Sequence, residues 1–273
     1  MEDLHARGIS CVYVTVRNIV SGKQDARYGR QTTQRFVPTN VMEKTARLPA
    51  IDGAAMVGLR TLYPHTVVDA SAGVAVLKSG RSSPKIGMVV LKGRWRGMPV
   101  YTLTLEERAT CPVSRRHLRS CFGNKMQWAV RFNPGDKFER RLVEDVVHLA
   151  AKHPGGFVVR VHVLGDFYSV RYVDLWRAML ETVPELRAFG YTARWDDEIG
   201  ARLRPLVREH WPRFAVRFSN APAMGLPVTV SIELPVQRPK GAFVCPEQTN
   251  QTESCATCAA CWSTRKTVAF LQH

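Results

Sequence analysis

Cys255, Cys258 and Cys261 stand at two-residue gaps, and Cys245-Pro246 lies ten positions upstream of the first. Three thiolates this close cannot all be satisfied as disulfides, and a hydrophobic core has no need of them together. They can converge on one soft metal centre. Structural zinc usually draws its ligands from two separated pairs. A C-x2-C-x2-C run with one remote Cys beside Pro is closer to iron–sulfur ligation. The spacing points to an iron–sulfur cluster on Cys245, Cys255, Cys258 and Cys261. Zinc is the alternative, and a group of unliganded thiols is the plainest third reading.

A second group of reactive side chains lies upstream. Gly165-Asp166-Phe167-Tyr168-Ser169 closes a very apolar run. A partly desolvated Asp there suits a general base, a nucleophile or a partner for a base or sugar. Its structural alternative is to cap the following helix, for which Ser169 is better placed. Tyr168 and Arg194 join Asp166 as candidate catalytic residues. His162, inside the run, reads as a packed core histidine. Cys111 and Cys121 flank a basic stretch with Arg115, Arg116 and Arg119, and could complete a second metal centre or be two ordinary thiols. Positive charge there suits a phosphate or the carboxylate of a cofactor. Arg115, Asn124 and Asn220 are the candidate cofactor contacts.

These residues need elements to place them. Strands are expected at 10–16, 99–105, 157–164, 186–192, 213–219, 228–234 and 242–245, and loops over 17–35. Helices are expected at 115–132, 136–152, 170–183 and 196–211, with Asp136 as a possible N-cap and Pro205 as a kink or break. The apolar stripe Phe138, Leu142, Val146 and Leu149 supports the second helix. Alternating strands and helices imply a largely parallel sheet with helical crossovers. In such sheets function gathers at the carboxyl ends of the strands. Asp166, Arg194, Asn220 and Cys121 would then share one mouth, with the four-Cys segment at its rim or floor. The pair 213–219 and 228–234 has no helix between and could be antiparallel.

The net charge is +16 with a pI near 10.0. Such an excess suits a polyanion, DNA or RNA. Lys92, Arg94, Trp95, Arg96, Arg116 and Arg119 are the candidate contacts. The stretch 78–97 interleaves Trp95 with cations, as a base-stacking loop does, and as an ordinary basic hairpin also does. Hydrophobic residues make up 45% of the 273, enough for a full core. No apolar run reaches membrane-spanning length. The start, MEDLHARGIS, lacks the long apolar core of a signal peptide. Seven cysteines without an export signal suit the cytoplasm.

Taken as a set, Thr110-Cys111-Pro112, Cys121-Phe-Gly-Asn124, Arg160-Val-His-Val-Leu-Gly-Asp166-Phe-Tyr-Ser, Gly190-Tyr-Thr-Ala-Arg194 and the four-Cys segment resemble an uncharacterised proteobacterial and prophage family related to the phage gene product 88 proteins. The resemblance covers roughly residues 75–273. Its first motif, C-x3-C-x5-C followed by Tyr-Gly-Asn, is kept at Cys111 and Cys121, with Arg115 in the middle position and Phe122 for the Tyr. The arrangement is similar to that of radical S-adenosylmethionine enzymes, which implies S-adenosylmethionine as a possible cofactor. A radical enzyme needs three thiolates there, and Arg115 stands in place of one of them.

The reading is therefore an α/β protein, a partial or distorted (β/α) barrel with a Cys-rich C-terminal metal segment. Its regions are a basic 1–97, a core 98–241 and a metal segment 242–273. The expected function is modification of a DNA or RNA base by an iron–sulfur protein with a 4Fe-4S cluster. One alternative is a non-enzymatic metal-stabilised DNA- or RNA-binding module. Another is a base-exchange barrel with an Asp nucleophile and a structural metal.

Overall fold

The computed structural model describes residues 61–71, 73–112 and 121–272. The expected strand 10–16, the loop 17–35, and Arg115, Arg116 and Arg119 lie outside them. Among the described residues the fold is an open α/β sheet. Its strands are β2 (Lys78–Ser79), β3 (Val100–Thr102), β5 (Phe157–Val161), β6 (Leu186–Thr192), β7 (Phe214–Ser219), β8 (Val228–Ile232), β9 (Phe243–Val244) and β10 (Val268–Leu271). They lie in the order β2-β3-β5-β6-β7-β8-β10-β9. Only β2 pairs antiparallel; all other neighbours are parallel. A small parallel pair, β1 (Val67–Val68) and β4 (Arg131–Phe132), stands apart.

The expected barrel is corrected to an open sheet among the described residues. Its edges, β2 and β9, are two residues each and offer little backbone to extend the ladder. The doubt over β8 is also resolved: it runs parallel to β7. Only Phe218↔Val228 and Ser219↔Thr229 pair, so β8 starts beside the last residues of β7. The connection never has to run back along the whole strand, and no crossover helix is needed. Strands from all three of the regions marked out in the sequence join this one sheet.

Side-chain alternation divides the sheet into two faces. Phe214 on one face meets Phe167 and Trp176. After a short helix α1 (Glu107–Thr110), that face is covered by α2 (Asp136–Lys152), α3 (Val170–Thr182) and α4 (Glu198–His210). Ser169 caps α3 by accepting the Tyr172 N–H, and Asp197 caps α4 by accepting the Gly200 N–H. Gly135, not Asp136, occupies the cap of α2, and Asp136 pairs with Arg171 instead. The helix α4 runs through Pro205 without a break.

The opposite face carries Arg160, Phe189, Tyr191 and Arg217. It is covered by the stretch 85–97 and by two short helices, α5 (Cys255–Cys258) and α6 (Ala260–Ser263). Trp262 packs 4.6 Å from Phe189 and stacks on Trp95 at 5.2 Å. No helix among the described residues is long and apolar enough to cross a membrane.

The expected helix 115–132 is corrected over its described part. Phe122–Lys125 form a 3-10 turn and Arg131–Phe132 form β4. The cause is Arg131, fully buried, whose guanidinium donates to the carbonyls of Gly123, Met126 and Ala129. A helix would have used those carbonyls internally. The charge is matched by Glu107 at 2.8 Å.

Candidate metal centre and strand-end mouth

Cys245 follows β9, its N–H donating to the Ala269 carbonyl of β10. The N–H groups of Gln248 and Glu247 also turn toward its sulfur, opposing the upward push of burial on that thiol. Ser254 then caps α5 in a reciprocal pair with Thr257. The stretch 85–91 straps this helix down: Cys255 N–H donates to Lys85 and Ala256 N–H to Ile86, while Leu91 N–H donates to Ala256. Ala259, in the left-handed region at φ 60°, breaks α5 from α6. That bend sends Cys261 down onto the sheet, where its sulfur lies 3.0 Å from the Tyr191 hydroxyl.

The four thiols share one neighbourhood. Burial, with Cys261 and Cys245 adding to it, pushes Cys255 up to about 12. Cys261 is raised by burial and by Cys245 and Cys258, against the pull of Arg217 and the Tyr191 hydroxyl. Arg217 is fully buried and donates to the carbonyls of Cys261, Val228, Thr264 and Lys266. Arg160 stands over the Tyr191 ring at 4.6 Å and draws the Cys255 and Tyr191 pKa values down. Neither arginine makes an ion pair among the described residues. Also among the described residues, no three Cys, His, Asp or Glu side chains are placed to hold a metal ion. The donor chemistry suits a thiolate centre.

The strand-end mouth gathers Asp166, Arg194, Cys111 and Cys121. Gly165, at φ +88°, lets the loop after β5 approach closely: a Cβ there would meet Leu105 Cβ and Thr110 Oγ1 at 2.7 Å. Asp166 is buried and its carboxylate accepts from Phe167 N–H, Thr192 Oγ1 and Ala193 N–H, each at 2.7 Å. Burial raises it to about 6 against those hydrogen bonds and Arg194. Arg194 reaches Phe167 O at 3.0 Å, Thr110 O at 2.7 Å and Asp197 at 3.0 Å. Cys111 is pushed well up by burial, then by Asp166, Cys121 and Glu107. The Cys121 sulfur sits in the same kind of turn as Cys245, with the N–H groups of Gly123 and Asn124 countering its burial.

Other candidates fall elsewhere. The Tyr168 hydroxyl donates to Glu139 on α2 and its ring stacks on Tyr172, so it is turned away from Asp166. Asn220 is exposed and grips Ser231 of β8 through its side chain. Asn124 accepts from Arg108 beside Cys121. His162 is buried against Phe167 and Tyr172, its Nε2 3.1 Å from the Tyr172 hydroxyl. Trp95 is 1% exposed, its Nε1 donating to Pro212 O, so it cannot stack on a nucleic-acid base. Arg94 donates to Trp211 O and lies over the Trp95 ring, while Lys92 and Arg96 are exposed.

The residues that sequence reasoning missed are Tyr191, Arg160, Arg217 and the Glu107–Arg131 pair. A signal existed: Arg160 and Arg217 each interrupt an otherwise apolar strand, FVVRV and FAVRFS. No family model matches the chain, and no curated protein or solved structure matches it.

Proposed function

We propose that this chain is an iron–sulfur protein that acts on nucleic acid. Cys245, Cys255, Cys258 and Cys261 would hold one cluster against the sheet face that carries Arg160, Tyr191 and Arg217. The observation carrying the metal reading is the fully buried Arg217, with the half-buried Arg160 beside it. A buried cation without a counter-anion is costly. Four thiolates around a 2+ centre carry a net charge near −2, which two guanidinium groups offset. The N–H groups at the Cys245 sulfur and the hydroxyl at Cys261 are the outer hydrogen bonds that steady thiolate ligands. Such a centre supplies electron transfer or structural cross-linking. The nucleic-acid half rests on the +16 charge.

A second reading, a metal-stabilised DNA- or RNA-binding module without catalysis, is favoured by Asp166 and Arg194. Their polar atoms are taken up by the loops after β3, β5 and β6. That is the work of a brace, and it weakens base modification with S-adenosylmethionine or base exchange through an Asp nucleophile. The test is metal analysis beside the spectrum of the anaerobically purified chain and its Cys258→Ala variant. Iron with sulfide, lost in the variant, supports the cluster. One zinc and no iron contradicts it and leaves the cysteine grouping standing.

A further inference from the structure

A groove of about 1350 Å³ opens beside Cys258, between the loop that follows β8 and the two short cysteine helices. Its volume exceeds the roughly 300–1,000 Å³ of small-molecule sites, which leaves room for a length of polymer. Four cations line it, Lys92, Arg238, Lys240 and Lys266, and no carboxylate does among the described residues. These come from three separate stretches of the chain: 92 before β3, 238–240 between β8 and β9, and 266 before β10. Val236, 85% exposed, and Phe243 add apolar wall between the charges.

We propose that this groove binds a single-stranded nucleic acid and presents it beside the cysteine centre at Cys258. The inference rests on the nucleic-acid reading above and moves the contact surface. The strand-end mouth offers few free donors, since Arg194 is engaged with its own loops, and Trp95 is buried. The groove offers exposed cations for phosphates and apolar walls for unpaired bases. A duplex hides its base faces and would use the cations alone, whereas a single strand uses both. Lys92 is the one residue of the basic loop 78–97 that lines it.

The experiment measures binding of fluorescein-labelled single-stranded DNA and RNA of about 20 nucleotides to the full chain across a salt series. It compares the wild type with an Arg238→Ala/Lys240→Ala/Lys266→Ala variant and with Arg140→Ala, a control on the helical face. All four positions are solvent-facing or partly so, and circular dichroism with metal content checks that the fold is kept. The triple variant should bind at least about tenfold more weakly, with a log–log salt slope shallower by about 2, three phosphate contacts at about 0.7 each. Wild-type affinity and slope in the triple variant would overturn the groove while leaving the nucleic-acid reading intact. No binding by the wild type at about 50 mM salt would overturn both. Equal competition by duplex and single strand would overturn the single-strand assignment.

Discussion

The Tyr191 hydroxyl and the Cys261 sulfur, 3.0 Å apart, join the middle of the sheet to the cysteine segment. The next residue, Thr192, points to the other face and holds Asp166 at 2.7 Å. One strand end therefore fixes both candidate sites. If Cys261 ligates a metal, the hydroxyl donates to its thiolate. Tyr191→Phe keeps the ring against Arg160 and Phe270 and removes only that bond. The variant should fold normally and hold its metal about 10–100-fold more weakly in chelator competition. Unchanged metal affinity would remove Tyr191 from the centre.

Arg217 is the charge under the cysteine segment. Arg217→Met removes the guanidinium donors from the carbonyls of Cys261, Val228, Thr264 and Lys266. Unfolding free energy should fall by about 3 kcal/mol in urea titration. Arg217→Lys should recover only part of this, because an ammonium cannot span four acceptors in the plane of a guanidinium. A loss below about 0.5 kcal/mol, the range of ordinary surface changes, would mean the guanidinium is not structural.

Gly87 tests how the strap seats the cysteine helix. It sits at φ +87°, and a Cβ would meet Ala256 Cβ at 2.7 Å and Ser254 Oγ at 2.9 Å. Gly87→Ala combines left-handed strain with overpacking, so a loss of about 2–4 kcal/mol is expected by thermal or urea melting. The metal should be lost earlier in the melt than the helical signal. A melt like the wild type would show that 85–91 does not fix the cysteine segment.

The Asp166 carboxyl, held at about 6 by burial, lies above the roughly 3.9 of an unfolded Asp. Between those values the folded chain binds more protons than the unfolded one. Stability from this group is therefore fully present below about pH 4 and lost as pH rises through about 6. Asp145, raised by burial too, adds in the same direction. In Asp166→Asn the slope over about pH 4–6 should shrink, with Asp145 leaving a remainder. Stability should also drop by about 1–3 kcal/mol, because the amide cannot accept from both Thr192 and Ala193 as the carboxylate does. Urea midpoints across this range read both effects, and an unchanged slope would contradict the burial argument.

Much of the frame was legible because it depends on local pattern. The stripe Phe138, Leu142, Val146 and Leu149 marks α2 at its observed ends, and apolar runs mark β6 and β7. The barrel expectation failed because closure depends on edge length, and β2 and β9 are two residues each. The helix over 115–132 failed because Arg131 captures distant carbonyls, a contact with no periodicity. Trp95 read as a stacking residue because its neighbours are cations. Its partner Trp262 lies 167 residues away in sequence (262 − 95), and nothing near Trp95 announces it. The cysteines were visible from spacing alone. Their setting on Arg160, Tyr191 and Arg217 was not, since it arises only when β5, β6 and β7 pair.

The central claim is that Cys245, Cys255, Cys258 and Cys261 hold one iron–sulfur centre. Its most direct measurement is iron, acid-labile sulfide and zinc per chain after anaerobic purification, read beside the count of free thiols. The account predicts iron and sulfide in equal amounts, about four of each for a 4Fe-4S cluster, and four thiols that titrate only after the cluster is removed. Zinc without iron, or neither metal with all thiols titrating at once, would contradict it.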